Sequence, residues 1–231
     1  MIDAGLSRKA IFARLAAIGV APESIDAVLI SHEHSDHICG LVSVVKKLGV
    51  PVYVSRMTAP TLPWGDFTPD VRTFQAGESF QIGTIRVNSF TLPHDAVDPV
   101  GFAFETPTAR LGLVTDLGYM PQSLRFHLAD LDLLLLESNH DLEMLKVGPY
   151  PWPVKQRVMG RNGHLSNEVA CEFILDGLDA SVRSLVLGHI SEHNNHPELV
   201  RLSASQALRR RAFSTRLVVA APGEQTELFS L

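Results

Sequence analysis

Ser31-His32-Glu33-His34-Ser35-Asp36-His37 decides the reading of this chain. The run Ala27-Val-Leu-Ile-Ser31 ahead of it is continuously apolar and predicts a buried strand. Behind it, apolar residues at 38, 41, 42, 45 and 48 repeat with helical spacing until Gly49 and Pro51 stop the pattern. In extended chain His32 and His34 face the same side. The turn into the helix then brings Asp36 and His37 towards the same point. Three imidazoles and the Asp36 carboxylate within six residues suit a borderline divalent metal such as zinc, manganese or iron. A solvated histidine-rich loop is the poorer explanation, because imidazoles this close repel one another when protonated.

Working outward, other apolar runs end in the same kind of residue. Ile85 to Phe90 leads to His94, Leu111 to Thr115 to Asp116, and Ser184 to Gly188 to His189. The chain also opens on Ile2-Asp3. A lone histidine or aspartate after a strand is ordinary loop chemistry. Several of them beside the first motif predict ligands converging past the C-terminal ends of strands, where open α/β folds place their sites. Strands are further expected at 51–55 and 100–104 and helices at Asn167–Leu178, with Ser166 as cap, and Pro197–Arg211. A closing hairpin is expected over 216–221 and 226–231. The mixture predicts a layered α/β sandwich in one domain, residues 1–231.

Bulk composition excludes several classes. No apolar run approaches the ~20 residues of a membrane span, and MIDAGLSRKA lacks the layout of a signal peptide, so a cytoplasmic protein is expected. Cys39 and Cys171 stand far apart; they read as small core residues and suggest neither a disulfide framework nor a thiolate metal site. A net charge of −5 gives no overall attraction to nucleic acid, which leaves any such binding to a local groove.

The arrangement His32-x-His34-x-Asp36-His37, then His94, Asp116 and His189, resembles the metallo-β-lactamase fold superfamily. The segments 2–8, 113–119, 137–141, 150–152, 163–167 and 187–191 are similar to its branch of exonucleases named for YycJ and WalJ. The resemblance implies a four-layer αββα sandwich. It implies two divalent ions, one held by His32, His34 and His94, the other by Asp36, His37 and His189, with Asp116 between them. Asp3 is then expected to orient a ligand imidazole. The family pattern places a further strand pair ahead of Ile2-Asp-Ala-Gly, whereas this chain opens on that segment, so the expected sandwich lacks that pair and exposes a sheet edge.

The activity implied is phosphodiester hydrolysis, as in a 5′-to-3′ DNA exonuclease, with a metal-activated hydroxide attacking phosphorus in line. Asp36 would orient that nucleophile. His164, just ahead of a predicted helix start, would contact the scissile phosphate or protonate the leaving group. His140 follows the most apolar run and is a weaker candidate for the cleft wall. Trp152 with Lys155, Arg157 and Arg161 has the composition of a single-strand groove, though three such charges are more commonly a solvated stretch. His193 and His196 read as surface loop. Thioester or lactone hydrolysis on the same fold, or a non-catalytic metal-binding module, are the alternatives. The partners expected are nucleic acid and no membrane; oligomeric state is left open, a homodimer among the options.

Overall fold

A computed structural model describes residues 1–230. The chain begins with a one-residue parallel bridge, Ile2 to Leu29, and enters helix α1 (Arg8–Ala17), capped by the Ser7 hydroxyl accepting from the Ala10 N–H. Strand β1 covers only Val28–Leu29, shorter than the apolar run suggested. The expected helix over 38–48 is two helices, α2 (Ser35–Ile38) and α3 (Leu41–Leu48). The break has a local cause: the segment after Ile2 crosses here, with Ala4 N–H donating to His37 O at 2.7 Å and Gly40 N–H to Ala4 O at 2.8 Å. Gly40 permits that crossing, since a Cβ there would lie 2.0 Å from Leu6 O.

Strands β2 (Val52–Ser55) and β3 (Val71–Phe74) add in parallel to β1 and complete a three-stranded sheet. Strands β4 (Ser79–Ile82), β5 (Ile85–Thr91), β6 (Val100–Glu105) and β7 (Arg110–Val114) form an antiparallel middle. Strands β8 (Leu133–Glu137), β9 (Ser184–Gly188) and β10 (Arg216–Val219) continue that sheet in parallel, in the order β10-β9-β8-β7-β6-β5-β4. Helices α4 (Leu124–His127), α5 (Leu142–Val147), α6 (Trp152–Val158), α7 (Asn167–Asp176) and α8 (Pro197–Arg210) lie between these strands in sequence.

Three apolar clusters hold the layers. Ile38, Leu41 and Val45 pack on Val28, Val52 and Val54, joining α2 and α3 to the small sheet. Leu29 and Phe74 meet Val87, Val100 and Phe102 between the sheets. Ala170, Phe173 and Ile174 of α7 and Val200, Ala204 and Leu208 of α8 cover the far face through Val114, Leu134 and Leu185. The result is the expected αββα order.

Two expectations fail. β10 pairs in parallel with β9 and no strand follows it among the described residues; Leu231 lies outside them. Pro222 and Gly223 turn the chain away, and Gly223 O takes Arg14 while Gln225 reaches Arg14 O. Cys39 is exposed, its Sγ 3.0 Å from Gly5 O, and so is not a core residue, whereas half-buried Cys171 packs against the large apolar cluster; both are free thiols. Among the described residues, no helix is long and apolar enough to cross a membrane.

Candidate active site

Because β5, β7, β8 and β9 run in one direction, their C-terminal ends share one edge of the large sheet. His94 follows β5, Asp116 follows β7, Glu137 ends β8 and His189 follows β9. The Ser31–His37 segment leaves β1 towards the same edge, tied to the large sheet by Val100 N–H donating to Ser31 O at 3.1 Å. Asp3, Asp116 and His189 have φ of 50°, 65° and 55°. This left-handed conformation is unfavourable for residues with a Cβ, and strain of this kind gathers at functional sites.

Ligand atoms of His32, His34 and His94 lie within 4.8 Å of one another, as do those of Asp36, His37 and His189. Asp116 stands between the groups: Oδ2 is 3.4 Å from His37 Nε2, and Oδ1 is 3.4 Å from His189 Nε2 and 3.8 Å from His94 Nε2. The chemistry of the donors fits a divalent metal. His32 Nε2, His37 Nε2 and Asp116 Oδ2 are buried, face the cluster and have no hydrogen-bond partner, an arrangement that is costly unless a cation satisfies it.

The opposite ring nitrogens of His32, His37, His94, His164 and His189 are occupied, which assigns their tautomers. His37 Nδ1 donates to Asp3 Oδ2 at 2.8 Å. His94 Nδ1 donates to Gly163 O at 2.9 Å. His32 Nδ1 donates to Ser31 Oγ at 3.0 Å, whose own proton goes to Asp3 Oδ2. His164 Nδ1 and His189 Nδ1 both donate to Glu137 Oε1 at 2.8 Å. Glu137 is fully buried, and its Oε2 accepts the N–H groups of Leu117 and Leu165.

Protonation follows from this layout. Burial, with the neighbouring imidazoles of His37, His94 and His34, pushes His32 down to about 2. Burial likewise lowers His94. Burial opposes charge on His37 and His189 as well, but Asp3 and Asp116 raise His37, and Asp116, Asp36 and Glu137 raise His189 well above the ordinary value. His189, its Nε2 3.8 Å from Asp36 Oδ2, holds Asp36 far below the usual carboxylate range, with His37 adding to the effect.

His164 sits beside the cluster, its ring centre 5.1 Å from that of His94 and 5.4 Å from that of His189. The weaker candidates scatter. His140 is buried away from the cleft, bridged to Ser166, with both ring nitrogens unpartnered; burial pushes it down to about 4. Lys155 is buried and its ammonium donates to Lys146 O at 2.7 Å, so it does not face a substrate. Arg161 lies over the Tyr119 ring at 4.1 Å. Trp152 is exposed at the start of α6. Arg157 alone of these lines the cleft, paired with Asp95.

Sequence reading missed Glu137 as a site residue, although a carboxylate closing the most apolar run in the chain is itself a signal. It also missed the buried amide pair Asn167–Asn195, which exchanges two 2.9 Å bonds and staples the start of α7 to the segment after His189.

Residues 1–190 match the model of the β-lactamase superfamily domain. The chain belongs to the metallo-β-lactamase superfamily. Within this hydrolase superfamily it is 36% identical over 216 residues to the exodeoxyribonuclease YycJ of Bacillus anthracis, covering 92% of this chain and 82% of the relative. It is also 36% identical over 208 residues to the exodeoxyribonuclease WalJ of Streptococcus pneumoniae, covering 88% and 77%. The fold superposes on the metallo-β-lactamase fold protein YhfI of Bacillus subtilis with a TM-score of 0.71 at 19% identity, covering 96% of this chain and 85% of that one. Zinc-bound PqqB of Methylobacterium extorquens gives 0.68 at 19% identity, covering 98% and 82%.

Proposed function

We propose that the protein is a metal-dependent phosphodiesterase that removes nucleotides from the 5′ end of DNA. The observation that carries this reading is His164: an imidazole beside the ligand cluster, held by the buried carboxylate Glu137, in a chain 36% identical to two exodeoxyribonucleases. Hydrolysis by metal alone does not require such a group.

His32, His34 and His94 would hold one divalent ion and Asp36, His37 and His189 a second, with Asp116 standing between the two groups. When bound, two such ions lower the pKa of water and stabilise charge on phosphoryl oxygens. The chain supplies the rest. Asp36, whose carboxylate is kept ionised, orients the attacking water. Glu137 fixes the proton of His164 on Nδ1, which leaves Nε2 to face the scissile phosphate. The Glu137 charge also favours the protonated ring, so His164 can donate to the leaving oxygen. The free thiols fit a reducing cytoplasm.

The test is metal content and digestion of 5′-phosphorylated DNA, with zinc or manganese, for the wild type, His34→Ala and His164→Ala. About two ions per chain and stepwise loss from the 5′ end support the reading. His34→Ala should lose metal and activity; His164→Ala should keep metal and lose ~100-fold or more in rate. Loss of metal in His164→Ala, or no attack on DNA, overturns it.

A further inference from the structure

The cleft at the ligand cluster forks. Both branches share Asp36, Val158 and His164. The smaller, of 150 Å³, runs past His34, Asp95, Asp116 and Arg157 and has three carboxylates, one guanidinium and no aromatic wall beyond histidine. The larger, of 390 Å³, is walled by Tyr150, Ile190, Ser191 and His193. Only the larger reaches the ~300 Å³ at which small-molecule sites begin, and a single nucleoside is a ligand of that class.

Its walls suit a base. The Tyr150 and His193 rings meet edge to face, 6.0 Å apart at 83°. Tyr150 is half-buried, and its hydroxyl makes no hydrogen bond among the described residues. The wall carrying His193 is braced from behind. Ser191 N–H donates to Asn139 O at 2.8 Å, and Ser191 Oγ accepts from Asn194 N–H at 3.2 Å. Asp141 N–H donates to Asn194 O at 2.9 Å, and Asn195 is locked in the amide pair with Asn167. A pre-formed aromatic pocket binds any base by its π-face without reading sequence.

We infer that the larger branch is the subsite for the terminal nucleoside of a DNA strand, with its base stacked on Tyr150. This rests on the phosphodiesterase reading above. The scissile phosphate then lies between the branches, at His164, and the rest of the strand leaves along the Arg157 side. Room for one nucleoside beyond the cut makes each cut release one nucleotide.

The experiment compares single-stranded DNA carrying a normal or an abasic residue at the end from which the wild type digests. It uses the wild type, Tyr150→Ala, Tyr150→Phe and His193→Ala, with Tm and metal content as checks on folding. Wild type should cut the abasic end about tenfold less efficiently in kcat/KM, the scale of one base–aromatic stack. Tyr150→Ala should fall about tenfold on the normal end and cut both ends equally, while Tyr150→Phe keeps the preference. A wild type indifferent to the missing base, or a folded Tyr150→Ala that keeps the full preference, overturns the subsite. Should Tyr150→Ala not fold, retention of the full preference by His193→Ala together with loss by Tyr150→Phe overturns stacking. Wild type that cleaves bis-p-nitrophenyl phosphate but no DNA overturns the nucleic-acid substrate; cleavage of neither overturns the phosphodiesterase reading itself.

Discussion

Glu137→Gln is the substitution whose consequence the geometry defines most tightly. The carboxylate is fully buried and accepts four hydrogen bonds, two imidazole N–H at 2.8 Å on Oε1 and the backbone N–H groups of Leu117 and Leu165 at 3.1 and 3.0 Å on Oε2. A glutamine offers one oxygen in almost the same volume. In one orientation its NH₂ points at two ring N–H groups, in the other at two backbone N–H groups, so two bonds are lost either way. Charge-assisted bonds of this kind are worth about 1.5–3 kcal/mol each, which puts the total near 3–6 kcal/mol. The rings can escape only by moving their protons to Nε2, the nitrogen that His189 turns towards Asp36 and Asp116.

Metal binding at His189 should therefore weaken by about 10- to 100-fold, with the remainder appearing as lower stability. Chelator competition measures the first and thermal unfolding of the metal-free protein the second. At saturating metal the turnover should still fall by ~100-fold, because His164 shares the same oxygen. A Glu137→Gln protein with metal affinity within threefold of wild type and an unchanged Tm would refute this account of the carboxylate.

Gly5→Ala would place a Cβ 1.5 Å from Asp36 O, backbone against backbone, so it should destabilise by about 3 kcal/mol and reduce metal per chain, read by denaturant unfolding and elemental analysis. Arg157→Ala should weaken DNA binding and reduce the salt slope by about 1, whereas Lys155→Met should leave both unchanged and lower Tm, as fits an ammonium spent on Lys146 O. In metal-free protein His37 and His189 titrate above 6.5, so their stabilisation is complete below about that pH and is lost as pH rises through the raised values. Their protons compete with metal while His32 and His94 offer neutral rings, so dialysis from about pH 8 to about pH 6 should empty the Asp36–His37–His189 group first; earlier loss from the other group would contradict this.

The parts legible in sequence were those whose chemistry is local. Three histidines and an aspartate within six residues announce a cation site, and His94, Asp116 and His189 each end an apolar run that could be read as a strand. Glu137 was harder: it continues its strand instead of following it, and its partners lie 20 to 52 residues away. The Asn167–Asn195 pair spans 28 residues and leaves no periodic trace. Lys155 failed for a related reason, since charge spacing says nothing of a carbonyl on the preceding helix. The break between α2 and α3 depends on a crossing by residues 4–6, which no local pattern in 35–48 encodes.

The two candidate ligand groups differ in a way that follows from the fold. His32 and His94 sit where the sheets meet, buried among other imidazoles, and are kept neutral. His37 and His189 face four carboxylates, Asp3, Asp36, Asp116 and Glu137, and are drawn towards the charged form. The carboxylates that attract protons there are the ones that would attract a metal, so proton and metal compete for one field. Three of the residues that create this field or answer it, Asp3, Asp116 and His189, hold left-handed backbone conformations costing of order 1–3 kcal/mol each. Such a cost persists only if something offsets it. The buried hydrogen bonds of Asp3 and Glu137 do so in part, and the orphaned Nε2 atoms of His32 and His37, with Asp116 Oδ2, leave a bound cation to supply the rest.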